Sequence, residues 1–328
     1  MLIVLQDNPD PDALAAAAAL RRLAHGLAGL PCSLGCGATV GRAENRAMVH
    51  YLDLNLRPVG QLEAGDFDLV ALVDTQPGHG NTSLPPGSTV QVVIDHHPMR
   101  KETRGVAFRD VRRRYGATST ILFEYLQQAG IDPEVPLATA LLYGIRSDTQ
   151  DLGRDTTQAD IDAYGQLYPL ANKRMLGVIQ RGQVPSEYYR MLAAALEEAC
   201  VCGRCIYSTL GAVDNPDMVG EVADLLLRHE QTDWSLCWGY HNDRALLSLR
   251  AASAEQRADA VIRRIVARRG SGGGHPTMAG GQIPLPQDGP SRRKRLDRLI
   301  RNRYLQATGN SRSPARKLIG PVRPSARP

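Results

Sequence analysis

A pair of histidines follows an aspartate directly at the end of a mainly apolar segment. The segment covers residues 90–94, and Asp95-His96-His97 comes next. Carboxylates and neutral imidazoles bind divalent transition ions, and an imidazole can also contact or protonate a phosphate oxygen. Because neighbouring side chains on an extended backbone point to opposite sides, we expect His96 to be a metal ligand and His97 to face a phosphate.

Two other apolar segments also end in aspartate. Residues 2–5 precede Asp10 and Asp12, and residues 69–73 lead directly into Asp74. Each aspartate alone is explained as well by a helix or loop cap. Parallel strands place their carboxyl ends at one edge of a sheet, however, and ligands collect there. The three segments together therefore predict a site for more than one metal ion, with Asp74 between the ions.

A further aspartate, Asp148, ends an apolar helical run and could supply a distant ligand to the second ion or a helix cap. Arg146 and Arg154 stand close to it in the sequence, and a phosphate would attract both cations. We expect His79, in the glycine-rich loop after Asp74, to be solvent-exposed.

A run of glycines near residue 272 is the other candidate for ligand binding. Gly272, Gly273 and Gly274 are followed by His275. Consecutive glycines let backbone N–H groups approach an anion closely. Together with Arg250 at a predicted strand end, the run suggests an anion clamp, and the alternative is a flexible hairpin loop.

The composition is that of an ordinary globular chain. With 328 residues, the chain is long enough for two domains, and 43% of its residues are hydrophobic. The longest apolar run, 13–20, is too short to cross a bilayer. The first residues resemble a strand and not a signal peptide, because no basic residue precedes the apolar segment. We therefore expect a cytoplasmic protein that does not bind membranes.

The six cysteines do not form a complete metal-binding or disulfide pattern. Cys202 and Cys205 have the spacing of half a zinc site or of a redox pair, but no second pair supplies the other ligands. We interpret the cysteines as reduced thiols.

Positive charge is concentrated at the end of the sequence. Residues 290–328 contain 12 Lys and Arg against one Asp, whereas the whole chain carries only +5. Residues 307–328 are rich in Pro, Ser, Gly and Arg, a composition typical of a disordered tail. Such a tail either contacts nucleic acid nonspecifically or only improves solubility.

Strand and helix patterns alternate in the first half of the chain, as in a parallel sheet covered by helices. The predicted strands of this half are 2–5, 68–73 and 90–95, and the predicted helices are 12–27, 44–52, 118–128 and 135–145. A second, smaller α/β domain has predicted strands 206–213, 234–240, 245–250 and 282–285, helices 218–229 and 254–268, and a loop at 270–281.

These motifs resemble the DHH phosphoesterase superfamily, in the branch with a DHH-associated C-terminal domain. That branch includes the RecJ-type exonucleases, the nano-RNases that also dephosphorylate pAp, and cyclic dinucleotide phosphodiesterases. The resemblance covers about residues 1–306, and its compact size is most similar to the nano-RNase group. The motifs in this chain are Asn8–Ala13, Val73–Thr75, Asp95–His97, Ser147–Thr149 and Gly272–His275.

The resemblance implies a division of the chain into functional parts. A DHH catalytic domain would cover residues 1–185, a helical linker 186–204, and a DHH-associated substrate-binding domain 205–306, with a cleft between the domains. The disordered basic tail would follow at 307–328.

The resemblance also implies two divalent cations, manganese with magnesium as the alternative. Asp10 and Asp74 would bind the first ion. Asp12, Asp74, His96 and Asp148 would bind the second, so that Asp74 bridges the two and is essential for catalysis.

The substrate would be held by the remaining candidates. His97 would act on the phosphate as a catalytic residue, and the nucleotide would lie against residues of the second domain. The full implied substrate-binding set is Arg146, Arg250, Gly272, Gly273, Gly274 and His275.

One position departs from the pattern of the superfamily, which commonly has a histidine where this chain has Gln6. An amide oxygen is a weaker ligand than an imidazole nitrogen. The first ion would then be bound loosely, exchanged for magnesium, or held through water.

The resulting functional hypothesis is metal-dependent hydrolysis of a phosphoester by an activated water. The chain has only three Phe and two Trp, which is too few for a long base-stacking track. Short oligonucleotides, linear dinucleotides or pAp-type nucleotides are therefore the expected substrates. The alternatives are a pyrophosphatase or exopolyphosphatase, and a noncatalytic nucleotide or nucleic-acid binder. A homodimer through the helical edges is compatible with each of these functions.

Overall fold

The computed structural model describes residues 1–37, 40–85, 87–285 and 289–320. The chain divides into two compact units, Met1–Gln183 and Val184–Pro328. The strands of the first unit are β1 (Leu2–Val4), β2 (Ser33–Cys36), β3 (Leu56–Pro58), β4 (Val70–Val73), β5 (Val92–Asp95) and β6 (Phe108–Val111). Its helices are α1 (Pro11–Ala28), α2 (Ala43–Tyr51), α3 (Thr118–Gln128), α4 (Val135–Asp148), α5 (Gln158–Leu170) and α6 (Lys173–Gln180).

The strands of the first unit form one parallel six-stranded sheet in the order β3-β2-β1-β4-β5-β6. The chain runs outward from β1 in one direction and from β4 in the other, so the strand order reverses between these two strands. Ligands of such sheets bind beyond the carboxyl ends of the strands at this reversal. The predicted parallel α/β architecture is confirmed, and the predicted aspartates follow the strands that flank the reversal.

The sequence of the long helix α1 provides an N-cap for its first turn and small side chains that let it pack closely on the sheet. The Asp10 carboxylate accepts a hydrogen bond from the Ala13 N–H at 2.9 Å and so caps the first turn. Residues 11–20 are all buried, and their many alanines let the helix pack closely. Gly29, with φ 61°, ends the helix in the left-handed conformation that glycine adopts at little cost.

Both faces of this sheet are covered. Ile3 and Leu5 point to the face that packs against α1, α3 and α4. Leu2 and Val4 point to the opposite face, which packs against short connecting segments that contain Val59 and Leu62. A sheet buried on both sides explains the continuous apolar runs in its strands.

The short strands β2, β3 and β6 were not among the predicted strands. Charged residues interrupt the apolar pattern of the two edge strands, at Arg57 in β3 and at Arg109 and Asp110 in β6.

The second unit is built on a seven-stranded sheet in the order β11-β12-β10-β9-β8-β7-β13. Only β8 and β9 pair in parallel, and the other neighbours are antiparallel. Its strands are β7 (Cys200–Cys202), β8 (Cys205–Ala212), β9 (Trp234–His241), β10 (Arg244–Ala251), β11 (Ser271–Gly274), β12 (Met278–Pro284) and β13 (Ala315–Lys317). Its helices are α7 (Ser186–Glu198), α8 (Met218–Leu227), α9 (Ala258–Val266) and α10 (Pro290–Ala307).

Helices cover both faces of this second sheet. α7 and α8 pack on one face around Val201, Ile206 and Cys237. α9 and α10 pack on the other, where Tyr304 is fully buried. The Tyr304 hydroxyl lies 2.8 Å from the carbonyl oxygen of Trp234 and 3.1 Å from that of Ile206, so α10 is anchored to the sheet.

Three features differ from the expectations. The stretch 186–204 is not a separate linker, since α7 and β7 are packed into the second unit. The tail is not disordered from 307, because β13 pairs with β7; residues 321–328 lie outside the described part of the chain. The stretch 270–281 is a hairpin of β11 and β12 and not an open loop, because glycines without side chains still form ladder hydrogen bonds.

None of the helices in the described part of the chain is long and apolar enough to span a membrane.

We predict that Tyr304→Ala lowers the free energy of unfolding of the second unit by about 3–5 kcal/mol, the usual loss for a buried aromatic side chain. Tyr304→Phe, the matched control, should cost only about 1 kcal/mol because it removes the hydroxyl alone. Both tryptophans of the chain, Trp234 and Trp238, lie in the second unit. Urea unfolding followed by tryptophan fluorescence therefore reports on this unit. An unchanged midpoint in Tyr304→Ala would show that α10 does not contribute to the core.

Candidate metal centre

The first buried carboxylate of the site belongs to Asp12 in the first turn of α1. It is fully buried and accepts the backbone N–H groups of Thr118 at 2.7 Å and Ser119 at 2.8 Å. These are the first residues of α3, so Asp12 satisfies the open N–H groups of a different helix. The N-cap of α1 is Asp10. The alternative that Asp12 caps α1 is therefore wrong, because Asp12 instead accepts the N–H groups at the start of α3.

Asp74 lies immediately after β4 and is also fully buried. Its backbone has φ 59°, a left-handed conformation that lets the chain turn sharply at the strand end. The Thr118 hydroxyl donates to Asp74 Oδ1 at 2.8 Å. Its other oxygen, Oδ2, is buried without a hydrogen-bond partner among the described residues. A buried carboxylate oxygen without a donor is a position that a cation would satisfy.

Asp95, at the end of β5, fixes His97 through hydrogen bonds. Its Oδ1 lies 2.8 Å from His97 Nδ1, and its Oδ2 accepts the Gln76 amide at 2.7 Å. Gln76 is itself fixed by the backbone N–H of Arg100, at 2.8 Å from its Oε1. Burial would raise the pKa of Asp95, but its hydrogen bonds from His97 hold the value at about 2. The ionised carboxylate therefore orients the His97 ring.

His96 turns its ring toward the carboxylates. Its Nδ1 lies 3.1 Å from the carbonyl oxygen of Tyr115. A carbonyl only accepts, so in the neutral ring the hydrogen is on Nδ1 and the lone pair is on Nε2. Nε2 lies 3.2 Å from Asp148 Oδ2 and 3.7 Å from Asp74 Oδ1.

The two neighbouring histidines do not point to opposite sides as expected. Their ring centroids are 4.4 Å apart, and His97 Nδ1 lies 3.7 Å from Asp74 Oδ1. The strand ends at Asp95, so the alternation of an extended strand no longer applies. His79 also differs from the expectation of an exposed residue, since it is half-buried with its ring centroid 5.8 Å from that of His97.

Four of the predicted ligands and His97, which was expected to face the phosphate, form two overlapping groups. One ligand atom from each of Asp74, His96 and His97 lies within 4.8 Å of the others, and the same holds for Asp12, His96 and Asp148. Within the described residues, these are the only clusters with this spacing. They come from the ends of β4, β5 and α4 and from the start of α1, and His96 is common to both.

The pKa values of the buried carboxyl groups show that negative charges repel one another in this cluster. Burial, and next the Asp148 charge, raise the pKa of Asp12 to about 7 and that of Asp10 to about 6. Burial and the neighbouring carboxylates raise the pKa of Asp74 well above its usual value. Burial disfavours charge on His96, yet the hydrogen bond and charge of Asp148 raise its pKa to about 10. A divalent cation would relieve this repulsion, so the residues fit the implied metal chemistry.

Gly144 of α4 makes this convergence possible. A Cβ at this position would lie 2.4 Å from Ser119 Oγ and 3.1 Å from Asp12 Cα. Any other residue would therefore displace the Ser119 hydroxyl and crowd the backbone of Asp12. Gly144 sets the distance between α4 and the other helices, and so the distance between Asp148 and Asp12.

Gln6 takes part in the site through hydrogen bonds. Its Nε2 donates to Asp10 Oδ2 at 3.0 Å, and its Oε1 accepts from Asn81 Nδ2 at 3.3 Å. In this orientation Gln6 positions Asp10. Its role as a metal ligand stays a prediction, and Asp10 lies outside the two groups described above.

Two arginines near Asp148 have different surroundings. Arg146 Nε pairs with Asp151, a largely exposed carboxylate. Arg154 Nη2 donates to the backbone oxygen of Asp148 at 2.8 Å. The Nε and Nη1 atoms of Arg154 are buried without a hydrogen-bond partner among the described residues. Arg154 is therefore better suited than Arg146 to receive a phosphate oxygen.

The glycine residues of the second unit lie on the edge strand β11. Gly274 has φ 142° and needs to be glycine, because a Cβ would lie 2.4 Å from the Met278 oxygen. A Cβ on Gly273 would meet nothing within 4 Å, so its backbone is open to a ligand. His275 follows in an exposed tight turn, with its N–H bonded to the Met278 oxygen at 2.7 Å.

Arg250 is only 6% exposed and is already paired. Its guanidinium forms an ion pair with Asp224 and donates to the Ser248 hydroxyl at 2.6 Å. This neutralised position argues against Arg250 as an anion ligand. The sequence analysis could not anticipate it because Asp224 lies on α8, 26 residues earlier.

Several residues of the centre carried no signal in the sequence. Thr118, Ser119, Gln76 and Tyr115 act through hydrogen bonds to the ligands, and no spacing rule connects them with the aspartates. Only the small side chains around Gly116–Thr120 indicate a crowded helix start.

The fold and the site together define an α/β protein with an acidic, histidine-containing centre at the strand reversal of a parallel sheet. Residues 1–145 match the DHH family, N-terminal domain, and residues 203–302 match the DHHA1 domain. The chain belongs to the DHH family, whose members are typically metal-dependent phosphoesterases.

A known protein is similar to nearly the whole of this chain. The uncharacterized protein MJ1633 of Methanocaldococcus jannaschii is 31% identical over 316 residues, which cover 94% of this chain. The match covers 64% of MJ1633, so the chain spans slightly less than two thirds of that protein.

Solved structures share the fold at low sequence identity. An exopolyphosphatase-related protein from Bacteroides fragilis has a TM-score of 0.71 at 13% identity, with 93% of each chain covered. RecJ from Thermus thermophilus in complex with Mn²⁺ has a TM-score of 0.50 at 15% identity, covering 93% of this chain and 52% of RecJ.

We predict that the metal-free protein loses stability between pH 5 and pH 8. The carboxyl pKa values, raised from 3.8 to about 6 for Asp10 and about 7 for Asp12, make the folded state bind more protons than the unfolded chain in this window. The raised pKa of His96 acts in the same direction. Stability therefore falls as the pH rises through these values. Mn²⁺ at about 100 times its Kd should restore about 2.7 kcal/mol at pH 8 and less at pH 5.5, where protons compete.

Thermal unfolding with and without Mn²⁺ measures this effect. Asp74→Asn should remove most of the Mn²⁺-dependent increase in Tm, whereas Asp132→Asn, on an exposed loop, should leave it intact. An undiminished response in Asp74→Asn would contradict a metal centre at this position.

Proposed function

We propose that this protein is a divalent-metal-dependent hydrolase of short oligonucleotides, linear dinucleotides or pAp-type nucleotides. The observation that carries the proposal is the pair of ligand groups that share His96, one with Asp74 and one with Asp12 and Asp148. Membership of the DHH family supports phosphoester hydrolysis as the class of reaction. The short nucleotide substrate is the finer part of the proposal.

Two ions would occupy this centre, manganese or magnesium. Asp10 and Asp74 would hold one, and Asp12, Asp74, His96 and Asp148 the other. Bound divalent ions supply an activated water and neutralise phosphate charge. Asp74 is the bridging candidate because its Oδ2 is buried and has no hydrogen-bond partner among the described residues.

His97 would hold and deliver the proton for the leaving group. The hydrogen bond between Asp95 and His97 Nδ1 orients the ring, as a carboxylate orients the histidine of a hydrolytic triad. The opposite nitrogen, Nε2, would then give a proton to the leaving oxygen. Gln76 keeps Asp95 in place and so acts as a positioning residue.

Arg154 would orient the phosphate that is cleaved. Its Nη2 donates to the backbone oxygen of Asp148, and its Nε lies 3.9 Å from the exposed carboxylate of Asp155. The Nε and Nη1 groups are buried and have no hydrogen-bond partner among the described residues. A planar guanidinium matches two oxygens of a phosphate. Next to Asp148, this cation would favour a substrate whose phosphate oxygens accept hydrogen bonds from its Nε and Nη1 groups.

The glycine hairpin of the second unit would bind the nucleotide portion through Gly272, Gly273, Gly274 and His275. The open backbone at Gly273 supports close approach of an anion. A low aromatic content supports a short substrate, since the 11 Tyr, three Phe and two Trp available for base stacking make up only 5% of the chain.

A second candidate is hydrolysis of inorganic polyphosphate or pyrophosphate. It is favoured by the fold of the exopolyphosphatase-related protein, which covers 93% of this chain. Such a substrate has no base, so AMP would compete weakly with it. A noncatalytic binder, the third candidate, is favoured only by Gln6 in place of a histidine.

We expect Mn²⁺-dependent turnover of pAp, pApA or a 5-mer in a panel that also contains cyclic dinucleotides and polyphosphate. Asp74→Asn should abolish the activity, because it removes the carboxylate that both ions would share. Asp132→Asn is the control for general damage. Turnover of polyphosphate alone would establish the second candidate. If none of the substrates is cleaved by the natural protein, but Gln6→His creates activity, the chain is a binder.

We predict that Arg154→Gln lowers kcat/KM on the best substrate about 100-fold, the usual loss when a donor to a developing anion is removed. Arg146→Gln should have an effect below about 3-fold, because Arg146 is paired with Asp151 and not with the centre. Steady-state kinetics at saturating Mn²⁺, with Tm as the folding control, distinguish the two. A larger loss in Arg146→Gln than in Arg154→Gln would show that Arg146, and not Arg154, contacts the substrate.

A further inference from the structure

A basic surface on the second unit has no part in the proposed reaction. It consists of arginines from the end of α9 and of Lys and Arg from the outer side of α10. Its members are Arg264, Arg268, Arg269, Lys294, Arg295, Arg298 and Arg301. All are exposed except the half-buried Arg301.

The folding of α10 separates its apolar and basic residues. Leu296, Ile300 and Tyr304, spaced at four residues, are buried against the sheet. Arg295 and Arg298 lie one helical turn apart on the exposed side, and Arg301 continues the row. The helix is thus held by its apolar side, while Lys294, Arg295 and Arg298 remain exposed to solvent.

A hydrogen-bonded junction joins α9 to α10. Arg303 of α10 donates to the carbonyl oxygens of Ile265 at 2.7 Å and Ala267 at 2.9 Å. These oxygens belong to the end of α9, where Arg268 and Arg269 follow. The junction therefore holds the end of α9, and Arg268 and Arg269 after it, against α10.

The charge of this surface is not balanced by nearby acids. Residues 290–320 contain ten Lys and Arg and a single acid, Asp297. The Asp297 carboxylate is turned inward, where it accepts from Trp238 Nε1 at 2.6 Å and from the Tyr240 hydroxyl at 2.7 Å. Within the described chain, no ion pair joins any of the seven surface cations to a carboxylate. Such a charge density without counter-charges calls for a polyanionic partner.

The chemistry of the surface favours nucleic acid over a lipid membrane. A helix that lies on a membrane turns apolar residues toward the lipid, whereas α10 buries its apolar side and has no large apolar side chain among the exposed ones. From Lys294 to Arg301 the row spans ~10 Å at 1.5 Å per residue. A nucleic-acid strand carries one charge per ~3.4 Å along its axis, so this row would meet about three phosphates.

We propose that the basic surface binds the sugar–phosphate backbone of single-stranded nucleic acid, independently of base sequence. Arg268 and Arg269 lie only two or three residues before β11, so the surface leads along the chain into the glycine hairpin of the same unit. It is a docking surface for a polymer, separate from the residues that act on the scissile phosphate. It operates whether the reaction proposed above takes place or not.

The test compares two triple variants of the full chain with equal loss of charge. The first is Arg295→Gln, Arg298→Gln and Arg301→Gln on α10. The matched control is a triple change of exposed arginines elsewhere, Arg174→Gln, Arg228→Gln and Arg244→Gln. The Kd for a labelled 20-nucleotide RNA of mixed sequence is measured by fluorescence anisotropy at several salt concentrations.

The α10 variant should bind this RNA at least 10-fold more weakly than the natural protein, and the control variant should differ less than 2-fold. The slope of log K against log salt should decrease by about 2 in the α10 variant only, as expected for three lost phosphate contacts to a single strand. Equal weakening in both variants would overturn the proposal, because net charge alone would then explain binding.

Two further measurements keep this result distinct from the proposed reaction. Cleavage of pApA should be unchanged in the α10 variant, so absence of cleavage in all proteins would refute the hydrolase and not the surface. Vesicles containing phosphatidylserine serve as the alternative polyanionic partner. If the α10 variant lost vesicle binding but retained RNA binding, the surface would be a membrane contact and the proposal would be wrong.

Discussion

The structure depends on the convergence of buried carboxylates at one edge of a parallel sheet. Asp12 and Asp74 are fully excluded from solvent and lie next to Asp148 and His96. Burying several like charges together costs several kcal/mol per ion unless each is hydrogen-bonded or paired. The N–H groups at the start of α3 and the hydroxyl of Thr118 satisfy part of this requirement. The remaining charge is neutralised by protons, which the raised pKa values of Asp12 and Asp74 favour, or by a bound cation, so the fold of the first unit and its chemistry are coupled.

The sequence was informative where the site follows local structure. A strand that ends in an acid can be recognised from a few residues, and parallel strands must end at a common edge. The order β3-β2-β1-β4-β5-β6 then brings Asp12, Asp74 and the two histidines to the strand reversal. The α/β class and the proximity of Asp12, Asp74, His96 and His97 were therefore accessible without coordinates, whereas Asp10 lies outside the two groups. The division of roles between His96 and His97 was not, because the chain leaves the strand at that point.

Contacts between distant parts of the chain could not be predicted. The partners of Asp12 are 106 and 107 residues away, and the contact between Gly144 and Asp12 depends on how two helices cross. Arg250 illustrates the opposite case, since a suitable residue type at a strand end is occupied by Asp224 from a neighbouring helix. The composition of residues 307–328 predicted a disordered tail, yet residues 315–317 form β13. Its pairing with β7 uses backbone hydrogen bonds, which need no apolar side chains. The partners of individual side chains were therefore harder to predict from the sequence than the secondary structure.

The distribution of charge has a consequence for how a phosphate-containing substrate is recognised. The centre of the first unit is acidic, and without bound ions it repels a polyanion, so affinity for a nucleotide has to come from cations outside the carboxylate cluster. Arg154 is suited to contact the reacting phosphate itself. The seven cations of the basic surface, which form no ion pair with a carboxylate among the described residues, are suited to contact the rest of a strand. Because exposed cations act over about 8–10 Å at physiological salt, their contribution should vary with ionic strength. The contribution of the buried centre should vary with pH and metal concentration instead, so binding and hydrolysis can be separated experimentally.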